Sequence, residues 1–167
     1  MIEIINENIL RSGADIIINP VDCNGNNCSS VWNFSNDEMP WVETECRKYV
    51  RKHNKEHNII LGTVQFVPTE VWAIGLIDTM AINNQIVPCG KDFAYIANIF
   101  ICHDIGSYEV EPTLDSMGAV YERVCQNGIK SIAIPEDFIE HTSVEFCEEL
   151  IAKWSAANIE VKFYKVI

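Results

Sequence analysis

The sequence predicts an α/β protein in which a mixed or parallel sheet lies beneath helices. The run Ile16-Ile17-Ile18 is the first sign, because an unbroken β-branched run is typical of a strand buried on both faces. Strand-like and helix-like segments then alternate along the chain, without an internal repeat, low-complexity tract or linker. A polar loop follows Asn19-Pro20, where the Ile run ends. Open α/β sheets bind ligands at the carboxyl ends of strands, so this loop is the predicted place of function.

Seven short segments have the composition of strands. They cover residues 2–5, 16–19, 62–68, 71–77, 95–102, 131–134 and 160–166. Segments 62–68 and 71–77 are predicted to be two strands joined by a tight turn at Thr69-Glu70. Residues 78–92 follow neither a helical nor a strand period, which predicts an irregular loop or a short helix.

Three segments have helical spacing of apolar residues and recognisable ends. Pro40 suits the first turn of a helix and opens the first of them. The second runs from Leu114 and stops at Asn127-Gly128, a common helix C-terminus. The tetrad Thr142-Ser143-Val144-Glu145 has the capping-box pattern and opens the third, which continues through Trp154.

Composition narrows the class of protein. With 167 residues, 48% of them hydrophobic, the chain can bury a sizeable core as one domain. No apolar stretch approaches the roughly 20 residues of a membrane span, and the amino terminus lacks a signal-peptide pattern. Seven scattered cysteines predict reduced thiols and a cytoplasmic location. The net charge of −12 argues against direct nucleic-acid binding, which needs a basic face.

Two groups of residues occur in an order that resembles a known family. The first comprises Asn8-Ile9-Leu10, Ser12, Ala14-Asp15, Asn19 and Asp22-Cys23-Asn24-Gly25. The second comprises Tyr95-Ile96-Ala97-Asn98-Ile99, His103-Asp104-Ile105-Gly106, Pro112, Leu114, Ser131-Ile132-Ala133-Ile134-Pro135 and Val161-Lys162-Phe163-Tyr164. Together they resemble the macrodomain family, the ADP-ribose-binding α/β/α module, and in particular the branch that contains the yeast ADP-ribose-1''-phosphate phosphatase. The resemblance covers nearly the whole chain.

This resemblance implies a three-layer α/β/α sandwich with a mixed, mostly parallel central sheet, formed as a single domain over residues 1–167. It implies a cleft between the loops after the second and the penultimate strands. The implied ligand is ADP-ribose or a related NAD-derived nucleotide, free or on an ADP-ribosylated macromolecule. The ligand-binding residues that it implies are Asn8, Asp22, Cys23, Asn24, Gly25, Asn26, Asn27, Ser29, Ser30, Pro135, Glu136, Asp137 and Phe138. It implies no cofactor and no metal.

The chain departs from the family pattern in both loops. Where the family continues with several glycines, this chain has the segment 26–30 with five side chains, which hinders close approach of backbone to a ribose or phosphate. After Pro135, a glycine-containing diphosphate grip is replaced by a segment with three carboxylates, Glu136, Asp137 and Glu140. Carboxylates repel a pyrophosphate. Asn8 stands where the family has an acidic residue, and Asp22 stands where the family has an Asn on the ribose side.

Three functions therefore stay open. The first is a divergent ADP-ribosyl hydrolase or ADP-ribose-1''-phosphate phosphatase, in which an Asp22-type residue positions a water and His103 or His141 assists as an acid. The second is a non-catalytic binder that reads or sequesters a nucleotide, which the missing glycines favour. The third is an interaction domain whose acidic face binds a basic protein, which the charge of −12 favours.

Two candidate catalytic residues each have a structural alternative. Asp22 either contacts ribose hydroxyls or activates a water, or it caps its own loop by accepting hydrogen bonds from backbone amides. His103 either serves as a general base held in one tautomer or is an ordinary loop residue. Its neighbour Asp104 is not expected to pair with it, because adjacent residues of an extended chain point to opposite sides.

Other side chains near the predicted cleft have weaker patterns. Cys23, Cys28 and Cys102-His103 together have the residue types of a zinc site, but their spacing is loose and ordinary buried thiols are the default interpretation. A nucleophilic cysteine lacks an identifiable neighbouring base in the sequence. Trp32 or Phe34 could stack on a nucleobase, with core packing as the alternative.

Overall fold

The computed structural model describes residues 2–29, 37–75, 93–103 and 108–165. Within these ranges the strands are β1 (Ile4–Ile5), β2 (Ile16–Asp22), β3 (Val64–Pro68), β4 (Tyr95–Cys102), β5 (Ser131–Pro135) and β6 (Glu160–Tyr164). The α-helices are α1 (Pro40–Lys55), α2 (Val110–Asn127), α3 (Asp137–His141) and α4 (Val144–Ala156). Short 3-10 helices cover Ile9–Arg11 and Val71–Ala73.

The six strands form one sheet in the order β1-β6-β5-β2-β4-β3. All neighbouring pairs are parallel except β3 and β4, which are antiparallel. The predicted mixed, mostly parallel sheet is therefore confirmed. Because the other five strands run in one direction, the carboxyl ends of β2, β4 and β5 lie at the same edge of the sheet.

Helices cover both faces of this sheet. On one face Val42, Cys46 and Val50 of α1 pack against strand residues such as Ile17 and Phe100. The opposite face carries the larger apolar cluster, in which α2 and α4 pack on β2, β4 and β5. Successive residues of β2 and β4 alternate between the two clusters, as the period of a strand requires. The predicted three-layer α/β/α sandwich is thus confirmed.

The predicted strand over 71–77 is wrong for its described residues. Residues Val71–Ala73 form a 3-10 helix, and the amide of Ala73 donates to the carbonyl of Glu70. The antiparallel partner of β3 is β4, with Val64 opposite Ile99. The β-branched and aromatic composition of the segment suggested a strand, but the chain turns into the 3-10 helix after Pro68, and β3 is left as an edge strand paired with β4 alone in the described sheet. Residues 76–92, including most of the predicted irregular loop, lie outside the described ranges.

Strand β2 continues beyond its predicted end at Asn19. Its pairing with β4 includes Pro20 opposite Ile99 and ends at Asp22 opposite Cys102. Pro20 lacks the N–H that a strand ladder uses, but β5 pairs only with Ile16 and Ile17 on the other side of β2. The proline is tolerated because it lies beyond that second ladder.

The segment after β5 is more ordered than its sequence suggests. Residues Asp137–His141, predicted as a loop, form the short helix α3. The cap of α4 is Ser143, whose side chain accepts a hydrogen bond from the amide of Phe146. Thr142 instead donates to the carbonyl of Phe138 and so closes α3. The capping-box tetrad therefore marks both the end of one helix and the start of the next.

Candidate functional site at the carboxyl edge of the sheet

The carboxyl edge of the sheet brings together two segments that are far apart in the chain. The loop of residues 22–29, here called the Asp22 loop, follows β2, and α3 follows β5. The hydroxyl of Ser29 donates to a carboxylate oxygen of Asp137 at 3.2 Å, across 108 residues of sequence. The structure therefore joins the two predicted sides of the cleft by a direct hydrogen bond.

Asp22 organises the loop that carries it. One of its carboxylate oxygens accepts from the amides of Asn24 at 2.9 Å and Asn26 at 2.8 Å. The other accepts from the side-chain amide of Asn26 at 3.1 Å. The side chain is buried, with 2% of the residue exposed. Of the two roles left open by the sequence, the described contacts show the loop cap; they place both oxygens on the protein's own N–H groups.

Further local contacts define the shape of the Asp22 loop. Gly25 is buried and has a φ of +83°, a backbone conformation in which a side chain is strained. The side chain of Asn27 accepts from the amide of Ser29 at 2.8 Å, and the amide of Cys28 donates to the carbonyl of Pro20. Asn24 and Asn26 are exposed. These two asparagines are thus the loop residues that present side chains to solvent.

Asp137 is the carboxylate placed between the two segments. Burial raises the pKa of Asp137 above its ordinary value, the hydrogen bond from Ser29 and the nearby His141 lower it, and Glu140 and Glu136 raise it. The net shift is upward. A carboxylate held in this way is a poor neighbour for a second anion, because the two charges would share a half-buried space.

Two residues of the predicted ligand-binding set are buried in the core. Pro135 is buried, and the side chain of Phe138 has no exposed surface. Phe138 packs with Tyr108, ring centroids 5.8 Å apart, and Tyr108 also lies against the ring of His141 at 4.6 Å. Phe138 therefore contributes packing at this edge, and Glu136 and His141 contribute the surface.

Tyr108 is a residue that the sequence did not single out. Its hydroxyl is buried and has no hydrogen-bond partner in the described part of the chain. Burial raises its pKa, with further raising contributions from Asp137, Cys28 and Cys102. The only sequence signal was its place after His103 at the end of a strand, and a hydroxyl on an aromatic ring in that position has no distinctive pattern.

His103 lies beside Cys23. Its Nδ1 is 3.9 Å from the sulfur of Cys23, and its Nε2 is 3.7 Å from a carboxylate oxygen of Glu109. The base that the sequence could not find for a cysteine is therefore present in space. Glu109, at the start of α2, was missed because nothing in the linear sequence links it to Cys23.

A pair of thiols lies at the same edge. The sulfurs of Cys28 and Cys102 are 3.0 Å apart. The hydrogen bond to Cys102 and burial raise the pKa of Cys28. Within the described ranges no three His, Cys, Asp or Glu side chains converge in a geometry that could hold a metal ion.

The remaining predicted site residues lie apart or outside the described ranges. The side chain of Asn8 accepts from the amide of Leu10 at 3.0 Å and so caps the 3-10 helix that follows it. Ser30, Trp32, Phe34 and Asp104 lie outside the described residues. A cavity of about 390 Å³ lies near Ala14 and Ala94, at the opposite edge of the sheet from the Asp22 loop.

Comparison with known proteins identifies the architecture. No protein-family model and no curated protein matches the chain. A macrodomain protein from Streptomyces coelicolor aligns over 98% of this chain and 98% of its own, with a TM-score of 0.66 and 19% identity. The macrodomain of Thermus aquaticus DarG aligns over 98% and 97%, with a TM-score of 0.62 and 15% identity.

A third similar structure is that of Thermosipho africanus DarTG in complex with ADP-ribose. It aligns over 96% of this chain and 40% of that chain, with a TM-score of 0.64 and 14% identity. The three-layer architecture defines an α/β/α sandwich. More particularly, the chain has the macrodomain fold. None of the helices in the described part of the chain has the length and hydropathy of a membrane span.

Proposed function

We propose that this protein binds ADP-ribose or a related NAD-derived nucleotide at the carboxyl edge of the sheet. The observation that carries the proposal is the Asp22 loop, which is pre-shaped by its own hydrogen bonds and tied to α3 by Ser29 and Asp137. A pre-shaped loop lowers the entropic cost of binding. The macrodomain fold and the ADP-ribose bound in the similar DarTG structure support the choice of ligand.

The chemistry of the edge favours recognition of hydroxyl groups. The exposed amide side chains of Asn24 and Asn26 supply donors and acceptors suited to a ribose. The carboxylates of Glu136 and Asp137 lie on the other side, where a diphosphate would be repelled. We therefore propose that the phosphates lie away from α3.

We propose that the protein binds the nucleotide and that Asp22 does not act as a general base for its hydrolysis. A general base must have an oxygen available to a water, and both oxygens of Asp22 accept hydrogen bonds from the loop. We expect turnover of mono-ADP-ribosylated protein or of ADP-ribose-1''-phosphate far below that of an authentic macrodomain hydrolase. Rates within a few-fold of such an enzyme would contradict this part of the proposal.

The experiment that tests binding is a thermal-shift titration, repeated by calorimetry. The panel contains ADP-ribose, ADP-ribose-1''-phosphate, NAD and AMP. A specific ligand at about 100 times its dissociation constant stabilises the native state by about 2.7 kcal/mol. The test variant is Asn24→Glu, which adds a carboxylate to the exposed loop. The matched control is Asn54→Glu, which makes the same change of charge on the exposed end of α1.

We expect Asn24→Glu to lose the ligand-induced shift and Asn54→Glu to keep it. Circular dichroism of both variants checks that the fold is retained. If no nucleotide in the panel shifts the unfolding temperature of the wild-type protein, nucleotide binding is wrong. If Asn24→Glu binds as tightly as the wild type, the ligand lies elsewhere.

A further inference from the structure

The described cysteines fall into distinct environments. Cys46, Cys102 and Cys147 are buried, Cys28 lies against Cys102, and Cys125 is exposed on α2. Cys23 is half-buried and lies beside an exposed imidazole. In the described part of the chain, Cys23 lies against an imidazole, whereas Cys28 lies against a second thiol. The environment of a thiol decides its reactivity, because the thiolate is the nucleophile.

We propose that Cys23 is a reactive thiol that forms mixed disulfides with small disulfides at the edge of the Asp22 loop. His103 is its proton acceptor, and Glu109 is a positioning residue for the imidazole. The sulfur of Cys23 is 3.9 Å from Nδ1 of His103, and Nε2 of the same ring is 3.7 Å from Glu109. This order, thiol to imidazole to oriented acceptor, is the arrangement that activates a nucleophile. It does not depend on the proposed nucleotide ligand.

The backbone holds all three residues on the end of one strand. The amide of Cys23 donates to the carbonyl of Cys102 at 3.0 Å, and the amide of Glu109 donates to the carbonyl of Ile101 at 2.8 Å. His103 follows Cys102 directly in the chain. The trio is therefore anchored to the carboxyl end of β4, which is buried along its whole length. A site on a rigid strand end keeps its geometry better than one on a free loop.

Glu109 favours the ring tautomer that the thiol needs. A carboxylate near Nε2 attracts the proton to that nitrogen, which leaves the lone pair of Nδ1 facing the sulfur. When the thiol proton moves to Nδ1, the ring becomes an imidazolium. Its charge then lies between the thiolate and the carboxylate of Glu109, and both stabilise it.

Three other described thiols have different surroundings. The hydrogen bond to Cys102 and burial raise the pKa of Cys28, so its thiol stays protonated. Burial raises the pKa of Cys46 to about 12. Cys125 is exposed on α2 and hydrogen-bonds to Tyr121; that bond raises the pKa of the phenol, which therefore stays protonated. Cys125 therefore serves as an internal reference for an accessible thiol without a base.

The chemical step is thiol–disulfide exchange. The Cys23 proton passes to His103, and the thiolate sulfur attacks one sulfur of the small disulfide. A new sulfur–sulfur bond forms, the old one breaks, and the leaving thiolate takes the proton back from His103. Cys23 is oxidised to the disulfide level, and the released half of the small disulfide is reduced to a thiol.

The test uses the full chain, reduced and then freed of reductant. It is exposed near pH 7 to a limiting pulse of iodoacetamide, a neutral probe that is not repelled by the charge of −12. Peptide mass spectrometry then ranks the cysteines by rate. We expect Cys23 to be alkylated about tenfold faster than Cys125. In parallel, 2-hydroxyethyl disulfide should form an adduct on Cys23 first, and Cys23→Ser should lose that adduct.

Three variants separate the roles. His103→Gln should bring the rate of Cys23 down to that of Cys125 and leave Cys125 unchanged. Glu109→Gln should lower the rate of Cys23 by a smaller factor. Glu111→Gln, an exposed change of the same charge in the first turn of α2, is the control and should leave the ranking intact. If all three variants unfold at the wild-type temperature, a loss of fold is excluded.

A pH series adds a readout that a purely structural role for His103 would not change. The titratable groups that face its ring in the described structure are the thiol of Cys23, from the loop after β2, and the carboxylate of Glu109, at the start of α2. The rate advantage of Cys23 over Cys125 should shrink as the pH is lowered, because an imidazole that already holds a proton on Nδ1 cannot accept the thiol proton. Equal rates for Cys23 and Cys125 near pH 7, or an unchanged Cys23 rate in His103→Gln, would overturn the proposal.

Discussion

At the scale of single residues, the carboxylate of Asp22 accepts hydrogen bonds from three N–H groups of its own loop. Two of these donors are the backbone amides of Asn24 and Asn26. Asp22 is itself buried, so water cannot readily replace its carboxylate as the acceptor. Asp22 therefore acts on function through the shape of the loop that presents Asn24 and Asn26.

Replacing Asp22 should weaken the fold measurably. Asp22→Ala leaves the amides of Asn24 and Asn26 without their acceptor, so we expect the free energy of unfolding to fall by about 2 kcal/mol. Asp22→Asn keeps the oxygen that accepts from the two backbone amides but turns an NH₂ group toward the side-chain amide of Asn26, so the loss should be smaller. Urea denaturation measures both, with Glu148→Ala on the exposed face of α4 as the control. A loss no larger than that of the control would mean that the cap contributes nothing to stability.

At the scale of elements, α3 links its own stability to pH through Asp137. Burial raises the pKa of this carboxyl, with Glu140 and Glu136 adding to the effect and Ser29 and His141 opposing it. The native state therefore binds this proton more tightly than the unfolded chain does. It follows that the free energy of unfolding contributed by Asp137 decreases as pH rises from the ordinary aspartate range through the raised native pKa.

The variant Asp137→Asn should remove that dependence. The wild-type protein should lose stability relative to the variant as pH rises through this window, and the variant should be the more stable near pH 7. The amide oxygen of Asn can still accept from Ser29. Urea midpoints at several pH values give the difference in stability between wild type and variant as a function of pH. Asp115→Asn, at an exposed position of α2, is the matched control. A difference curve with the opposite slope would mean that Ser29 and His141 outweigh burial.

The start of α4 provides a second test at the scale of elements. The side chain of Ser143 accepts from the amide of Phe146 at 3.0 Å, while Thr142 bonds back to α3. Ser143→Ala should therefore lower the free energy of unfolding by about 1 kcal/mol, and Ser143→Asp should retain the cap. Chemical denaturation of the two variants measures this. Equal stabilities of Ser143→Ala and Ser143→Asp would show that the cap lies elsewhere.

At the scale of the whole molecule, 24 acidic against 12 basic residues produce a field that opposes anions. ADP-ribose carries a charged diphosphate, whereas adenosine is neutral. We therefore expect salt to strengthen ADP-ribose binding modestly, because it screens the repulsion between protein and ligand. A basic protein partner should respond in the opposite direction.

Calorimetry at about 0.05 M and about 0.5 M salt tests this expectation. The affinity for ADP-ribose should rise about two-fold or more, and the affinity for adenosine, the control ligand, should stay constant. A basic polypeptide such as polylysine is titrated in parallel. Tight, salt-sensitive binding of polylysine without any nucleotide binding would favour the acidic interaction domain over the nucleotide binder.

Local sequence patterns alone determined much of the architecture. The β-branched run at Ile16, the apolar segment Tyr95–Cys102 and the stop at Asn127-Gly128 each produced the predicted element. Such signals are local, because β-branched packing, helical spacing and the freedom of glycine at positive φ act within a few residues. The order of these elements predicted a mixed or parallel sheet beneath helices and pointed to the edge where the Asp22 loop lies. The three-layer sandwich was implied by the resemblance to the macrodomain family.

Only the tertiary structure decided which side chains meet at that edge. Ser29 and Asp137 are 108 residues apart, and Cys23 and His103 are 80 residues apart. Each pair is brought together by parallel strands that end at one edge, a relation that no local pattern encodes. The same holds for the segment after β3: its composition suggested a strand beside β3, but β3 pairs with β4, which comes later in the chain. Strand pairing and convergence are competitions between distant segments, so the folded molecule decides them.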